Sequence, residues 1–229
     1  KLAWHFQMTP HDDHDYDGNQ VTMLFDARIG GVTRHLLGLV GRNSFLFVVD
    51  RTTGQSVTTA RLYDSMNWSR FVRPNGTPEP DAAKSPSPAG VLVSPSSEGS
   101  ANYPASAFSP QTGLMYANVV NSWSMFYTSG ETIFGDFRNS LRAYDPITGK
   151  AAWSHDYPEP YGVNARYPGV LATGGGLVFS GDVSGNVVAF DASDGDILWH
   201  DELPETLVTN APMSYVLDGR QYVVVGSGD

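Results

Sequence analysis

The residues best suited to chemistry stand near the start: His11-Asp12-Asp13-His14-Asp15-Tyr16-Asp17-Gly18, with carboxylates at 12, 13, 15 and 17. In an extended segment, side chains two apart share a face. Asp13, Asp15 and Asp17 would then follow one another at roughly 6–7 Å. Two such carboxylates can flank a hard cation, whose preferred ligands are oxygens. A carboxylate beside a metal-bound alcohol can also take its hydroxyl proton. Three other readings fit the same letters. Asp13-x-Asp15-x-Asp17-Gly18 matches the first half of an EF-hand loop, but Leu24 stands where its closing Glu belongs. His11-x-x-His14 could open a zinc site, but no third-ligand pattern follows. The remaining reading is a solvated acidic turn.

The framework that must hold these residues is a repeat. Residues 143–153 read Ala-Tyr-Asp-Pro-Ile-Thr-Gly-Lys-Ala-Ala-Trp, and 189–199 read Ala-Phe-Asp-Ala-Ser-Asp-Gly-Asp-Ile-Leu-Trp. Asp145 and Asp191 are 46 residues apart, as are Trp153 and Trp199. Val-Val-Asp50-Arg-Thr-Thr-Gly54 is a third copy, and Lys1-Leu2-Ala3-Trp4 reads as the tail of a fourth. In each copy an apolar strand runs into a turn, where Asp bonds backbone N–H groups and Gly takes the positive φ. A second strand follows, and its Trp is expected in the core between neighbouring sheets. A period in the mid-forties suits one four-stranded blade of a β-propeller.

The expected fold is therefore all-β: a partial β-propeller of about four to five blades, forming one domain over 1–229. An ordinary sandwich with coincidental turns is the competing reading. Strands are expected at 45–49, 114–119, 177–180, 187–190 and 222–225. The Pro/Ser-rich stretch 73–100 reads as a long loop able to cover one face. Helix signals are weak throughout. An incomplete ring would leave open sheet edges, so the chain is expected to need a missing N-terminal half or another copy of itself.

Composition narrows the function classes. The chain is 41% apolar and 17% charged, which excludes a disordered tail. Its 24 glycines and 15 prolines, scattered between short apolar runs, suit a turn-rich β protein. A net charge of −10 without a basic cluster argues against nucleic acid. No apolar run is long enough to span a bilayer. With no cysteine, these residues hold no disulfide, thiolate nucleophile or Cys-bound zinc.

The segment Pro10-His11-Asp12-Asp13-His14-Asp15-Tyr16-Asp17, following Trp4, resembles the pyrroloquinoline quinone (PQQ)-dependent methanol and ethanol dehydrogenases. The likeness runs on through Gly41-Arg42-Asn43-Ser44-Phe45, Val49-Asp50-Arg51-Thr52-Thr53-Gly54 and Asn102-Tyr103-Pro104. It resumes at 109–114 and 171–179 and closes at Asp218-Gly219-Arg220-Gln221-Tyr222-Val223. The chain departs from the pattern at Ser44, where the family often has Gly, and at Tyr103, where it often has Trp. It departs again at Tyr167-Pro168, which stands in place of a Trp-Gly-type pair.

The resemblance implies an eight-bladed quinoprotein propeller with quinone and metal on its axis, of which this would be the C-terminal part. Asp15 matches the catalytic base, Arg42 the residue contacting the quinone carbonyls, and Asn102 a polar cofactor contact. Asp15 and Asp17 match the metal side, and a carboxylate at Asp17 marks the branch using a lanthanide ion rather than calcium. The implied substrate is a small primary alcohol, the electron acceptor a c-type cytochrome, and the location the periplasm. The family's Glu and Asn metal ligands, its adjacent-cysteine disulfide and the Trp under the quinone fall upstream of residue 1. The chain alone is therefore expected to be inactive.

Without the resemblance, Arg42 would pass for a surface or salt-bridged arginine, and Asn102 for a turn residue. His5, His35, His155 and His200 read as structural. A function of another class is a non-catalytic envelope propeller that binds proteins through its loops and open edges. The set Asp15, Asp17 and Arg42 distinguishes the two, because a scaffold has no need of it.

Overall fold

The computed structural model describes residues 1–157, 168–181, 185–203, 208 and 210–226. Strands β1 (Met23–Ile29), β2 (Val32–Val40), β3 (Phe45–Asp50) and β4 (Ser56–Arg61) form an antiparallel sheet in that order. A short ribbon of β5 (Ser69–Val72) and β6 (Pro78–Pro80) follows. The second sheet takes β7 (Val91–Val93), β8 (Ala107–Ser109), β9 (Leu114–Phe126), β10 (Thr132–Tyr144) and β11 (Ala151–Asp156). The third is β12 (Val170–Ala172), β13 (Leu177–Gly181), β14 (Asn186–Asp191) and β15 (Ile197–Glu202), again in chain order. The hairpin β16 (Met213–Leu217) and β17 (Arg220–Val224) begins a fourth. This is a partial β-propeller.

Three sheets and the start of a fourth sit at the low end of the expected blade count, because 62–106 is spent on one connection. That connection is not the featureless loop expected at 73–100. It carries β6, a 3-10 turn at Ala82–Lys84, and β7. The 13-residue strand β9 binds β8 at its first end and β7 at its last, which draws the connection into the second sheet. The expected strand at 222–225 stops at Val224.

Alternation explains the stacking. Leu46 and Val48 of β3 face the second sheet and pack with Met115, Ala117 and Val119 of β9. Phe45 and Phe47, on the opposite face, pack with Tyr16, Trp68, Val93 and Phe126. Tyr116, Leu141 and Ala143 face the third sheet and meet Val178, Val188 and Phe190. Inner strands buried on both faces need continuous apolar runs, and Phe-Leu-Phe-Val-Val at 45–49 is one.

The repeat turns are built alike. Asp50 Oδ1 accepts from Thr52 N, Asp145 Oδ1 from Ile147 N, and Asp191 Oδ1 from Ser193 N. Asp191 also takes the Ser193 hydroxyl, and these bonds hold its carboxyl below the usual range. Gly54, Gly149 and Gly195 all have positive φ.

Each repeat then docks on the following turn. Trp4 Nε1 donates to Arg51 O at 2.9 Å, and Trp153 Nε1 to Ala192 O at 3.1 Å, each acceptor one residue past the turn Asp. The rings lie so close that a β-carbon on Gly54 would be 2.8 Å from Trp4, and one on Gly195 2.6 Å from Trp153. Thr58 holds the Trp position of the copy at Asp50, and its hydroxyl donates to Ile147 O of the next turn at 2.8 Å. Trp199 is half exposed, on a strand exposed along its whole length. The two rings therefore differ in worth. Trp153→Ala should cost about 3 kcal/mol and Trp199→Ala less than about 1 kcal/mol. Urea unfolding midpoints of the two variants, at unchanged m, check this.

Candidate functional site

Residues 8–22 form no strand before the chain enters β1, and Met8 and Tyr16 pack in one cluster with Phe45 and Phe47 of β3. Asp12 shapes this segment: its two carboxylate oxygens accept from the backbone N–H groups of His14 (3.0 Å) and Tyr16 (2.6 Å). That pairing turns the chain, and Asp15 takes a left-handed φ of 67°. The extended segment expected from the sequence is not formed. Asx-type bonding and the tolerance of Asp for the left-handed region explain the difference.

The turn still sorts the side chains. His14 and Tyr16 point inward, with ring centroids 5.3 Å apart and stacked, and Asp13, Asp15 and Asp17 point outward. His14 lies edge-on to Phe126 at 4.8 Å, and its Nε2 meets Lys84 O at 2.8 Å. The Tyr16 hydroxyl donates to Pro95 O at 2.6 Å. Burial pushes the Tyr16 phenol well up, with a further push from the Asp12 and Asp13 carboxylates, so it stays a neutral donor. Asp13 leaves the outward group by pairing with His14 Nδ1 at 2.8 Å.

Arg42 comes from the turn between β2 and β3. Its Nη2 reaches Asp15 Oδ2 and its Nη1 reaches Asp17 Oδ2, each at 3.4 Å. The arginine side chain is only 11% exposed, whereas the two carboxylates are 66% and 61% exposed. Two backbone-directed bonds hold it, from Nε (2.9 Å) and Nη2 (2.6 Å) to Ser97 O. Asn102 lies on the same connection as Ser97. Its Nδ2 donates to Glu98 O at 3.4 Å, and its Oδ1 accepts from Tyr103 N at 2.9 Å and from Asn19 Nδ2 at 3.4 Å. Asp15, Asp17 and Arg42 thus meet directly, while Asn102 bonds Asn19, two residues along from Asp17, and the carbonyl of Glu98, next to Ser97.

Asn43 was not singled out from the sequence, yet it ties the two halves together. Its Nδ2 donates to Met8 O and to Thr9 Oγ1, both at 3.0 Å, and its backbone O accepts from Trp68 Nε1 at 2.7 Å. Ser97 acts through its main chain and so carries no side-chain signal.

Two carboxylates against one guanidinium leave a local net charge of −1. Ion pairs between a held arginine and exposed carboxylates add little stability, so the arrangement is better read as a charged recognition surface. The exposed oxygens of Asp15 and Asp17 suit a hard cation. Among the described residues no three His, Asp or Glu side chains converge. A metal would therefore complete its coordination with water, cofactor oxygens or other donors.

Residues 111–229 match the family model described as outer membrane protein assembly factor BamB. Residues 1–62, which hold Asp15, Asp17 and Arg42, match the glucose/ethanol/alcohol dehydrogenase β-propeller domain. The quinoprotein alcohol dehydrogenase PedH of Pseudomonas putida is 33% identical over 251 residues, covering 99% of this chain and 41% of its own length. The crystal structure of quinohemoprotein alcohol dehydrogenase from Comamonas testosteroni superposes with a TM-score of 0.86 at 30% identity, over 98% of this chain and 36% of that one. A europium-containing methanol dehydrogenase does so with a TM-score of 0.83 at 28% identity, over 96% of this chain and 41% of that one. The chain thus spans about two fifths or less of the length of these relatives. With the domain match falling on the segment that holds the charged cluster, the chain belongs to the PQQ-type quinoprotein alcohol dehydrogenase family of β-propellers.

Proposed function

We propose that this chain is the C-terminal portion of a periplasmic PQQ-dependent alcohol dehydrogenase that oxidises a small primary alcohol with a lanthanide ion, or calcium, in the site. The observation that carries the reading is the single Arg42 guanidinium reaching both Asp15 and Asp17. When bound, the quinone supplies a two-electron acceptor and the metal a Lewis acid. The Asp15 carboxylate, exposed and held at one edge by Arg42, accepts the alcohol's hydroxyl proton. Arg42 presents fixed donors toward carbonyl oxygens, because Ser97 O holds its plane. Asp17 adds a second anionic oxygen donor, which favours a trivalent over a divalent ion. Asn102 places an amide on the same rim. Electrons would leave to a c-type cytochrome, as the haem-containing relatives suggest. Without its remaining metal ligands, the chain alone is expected not to turn over alcohol.

A second reading, a non-catalytic envelope scaffold, is favoured only by the assembly-factor match over 111–229. That region contains none of Asp15, Asp17, Arg42 and Asn102, so it leaves the charged cluster unexplained.

Calorimetry of the purified chain with La³⁺ and Ca²⁺, with and without PQQ, tests the metal assignment. La³⁺ should bind tighter than Ca²⁺, and Asp17→Ala should weaken La³⁺ by about ten-fold or more. Equal affinity in the wild type and the variant would remove Asp17 from the metal site. In a complete enzyme carrying this chain, Asp15→Asn should lower kcat by about a hundred-fold or more with KM little changed, read in a dye-linked alcohol assay.

A further inference from the structure

The geometry points to Gly99 as the positioning residue for Arg42: the turn at 96–100 sets the guanidinium, and only glycine lets it do so. The inference rests on the dehydrogenase reading for its quinone measurement alone. Gly99 has a φ of 82°. A β-carbon there would lie 2.0 Å from Arg42 Cγ, 2.7 Å from Arg42 O and 3.0 Å from Arg42 Cα. The first of these distances is an overlap that no small adjustment relieves, and the second involves main chain that is itself bonded. Arg42 O accepts from Ser100 N at 2.8 Å. The turn closes on itself through Gly99 N to Ser96 O at 2.9 Å.

The turn is also anchored from behind, so it cannot retreat from a larger side chain. Ser96 N donates to Ser122 Oγ at 3.1 Å, and Ser100 O accepts from Val120 N at 2.8 Å, both partners on β9. With the turn fixed against β9, a β-carbon on Gly99 must displace the arginine. Arg42 then loses Ser97 O, the acceptor that orients Nη1 toward Asp17 and Nη2 toward Asp15. In this scheme Gly99 acts through Arg42.

A control is built into the fold. Gly130, at the tip of the β9–β10 hairpin, has a φ of 84° but nothing within 4 Å of a β-carbon. Gly130→Ala therefore carries the same backbone strain without the overlap.

The test uses the purified chain as wild type, Gly99→Ala, Gly130→Ala, Arg42→Ala and the Gly99→Ala/Arg42→Ala pair. The first readout is the Arg42 Nε–H resonance in a ¹H–¹⁵N spectrum, identified by its loss in Arg42→Ala. In the wild type its bond to Ser97 O and its burial protect it from exchange. Gly99→Ala should speed its exchange by about ten-fold or more or abolish the peak, and Gly130→Ala should leave it in place. An unmoved Nε–H peak in a folded Gly99→Ala chain would overturn the proposal. The second readout is PQQ affinity in a complete protein carrying this chain. Gly99→Ala should weaken it by about ten-fold, yet change it by less than about two-fold when Arg42 is already Ala. An equal loss in both backgrounds would also overturn the proposal, since Gly99 would then act without Arg42. A complete protein carrying this chain that binds no PQQ would count against the dehydrogenase reading, whereas the Nε–H resonance would still decide the role of Gly99.

Discussion

The architecture depends on one contact, the ring of one repeat laid on the Asp-x-x-x-Gly turn of the next. A flat indole needs a surface without a side chain, and the glycine at positive φ provides it. The turn in turn needs its Asp to bond the backbone, which leaves a carbonyl pointing at the indole N–H. Strand, turn and ring are therefore coupled: losing the glycine, the Asp or the ring disturbs the same joint. Thr58 shows that the joint tolerates a small hydroxyl side chain when it can still reach a carbonyl of the following turn.

That coupling explains how much could be read beforehand. Spacings of 46 between Asp145 and Asp191, and between Trp153 and Trp199, reported the blades directly, because the joint demands specific residue types at fixed offsets. The stretch 73–100, expected as a long loop, holds short elements that escaped the sequence for the opposite reason. Its short strand β6 pairs with β5 across a brief turn, and β7 takes its place only because β9 is long enough to receive it. Alternation could have suggested neither.

The cluster of Asp15, Asp17 and Arg42 was legible by type and by family likeness, but its shape was not. The extended run suggested by Asp-x-Asp-x-Asp gave way to a turn because Asp12 binds two backbone N–H groups, a local competition that spacing does not reveal. Asn43 and Ser97 escaped notice for different reasons. Asn43 looks like any turn asparagine until its contacts with Met8 and Thr9 are seen, and Ser97 contributes only a carbonyl. The site is assembled from three stretches far apart in the chain. Its geometry is thus a property of how the second sheet presses the connection against the β2–β3 turn.

The docking joint also has a polarity. Among the described residues there are three receiving turns, at Asp50, Asp145 and Asp191, and each is already covered from within the chain by Trp4, Thr58 or Trp153. Four donors face three acceptors, and Trp199 is the donor left over. A second identical molecule brings the same inventory, with its own receptors filled and its own indole spare. Counted over the described residues, two copies joined by this contact alone would leave both indoles without a receptor, because a head-to-tail contact requires an empty one on the other side. What Trp199 is shaped to meet is a turn of the same kind that lacks a donor of its own, in the same polypeptide or in another.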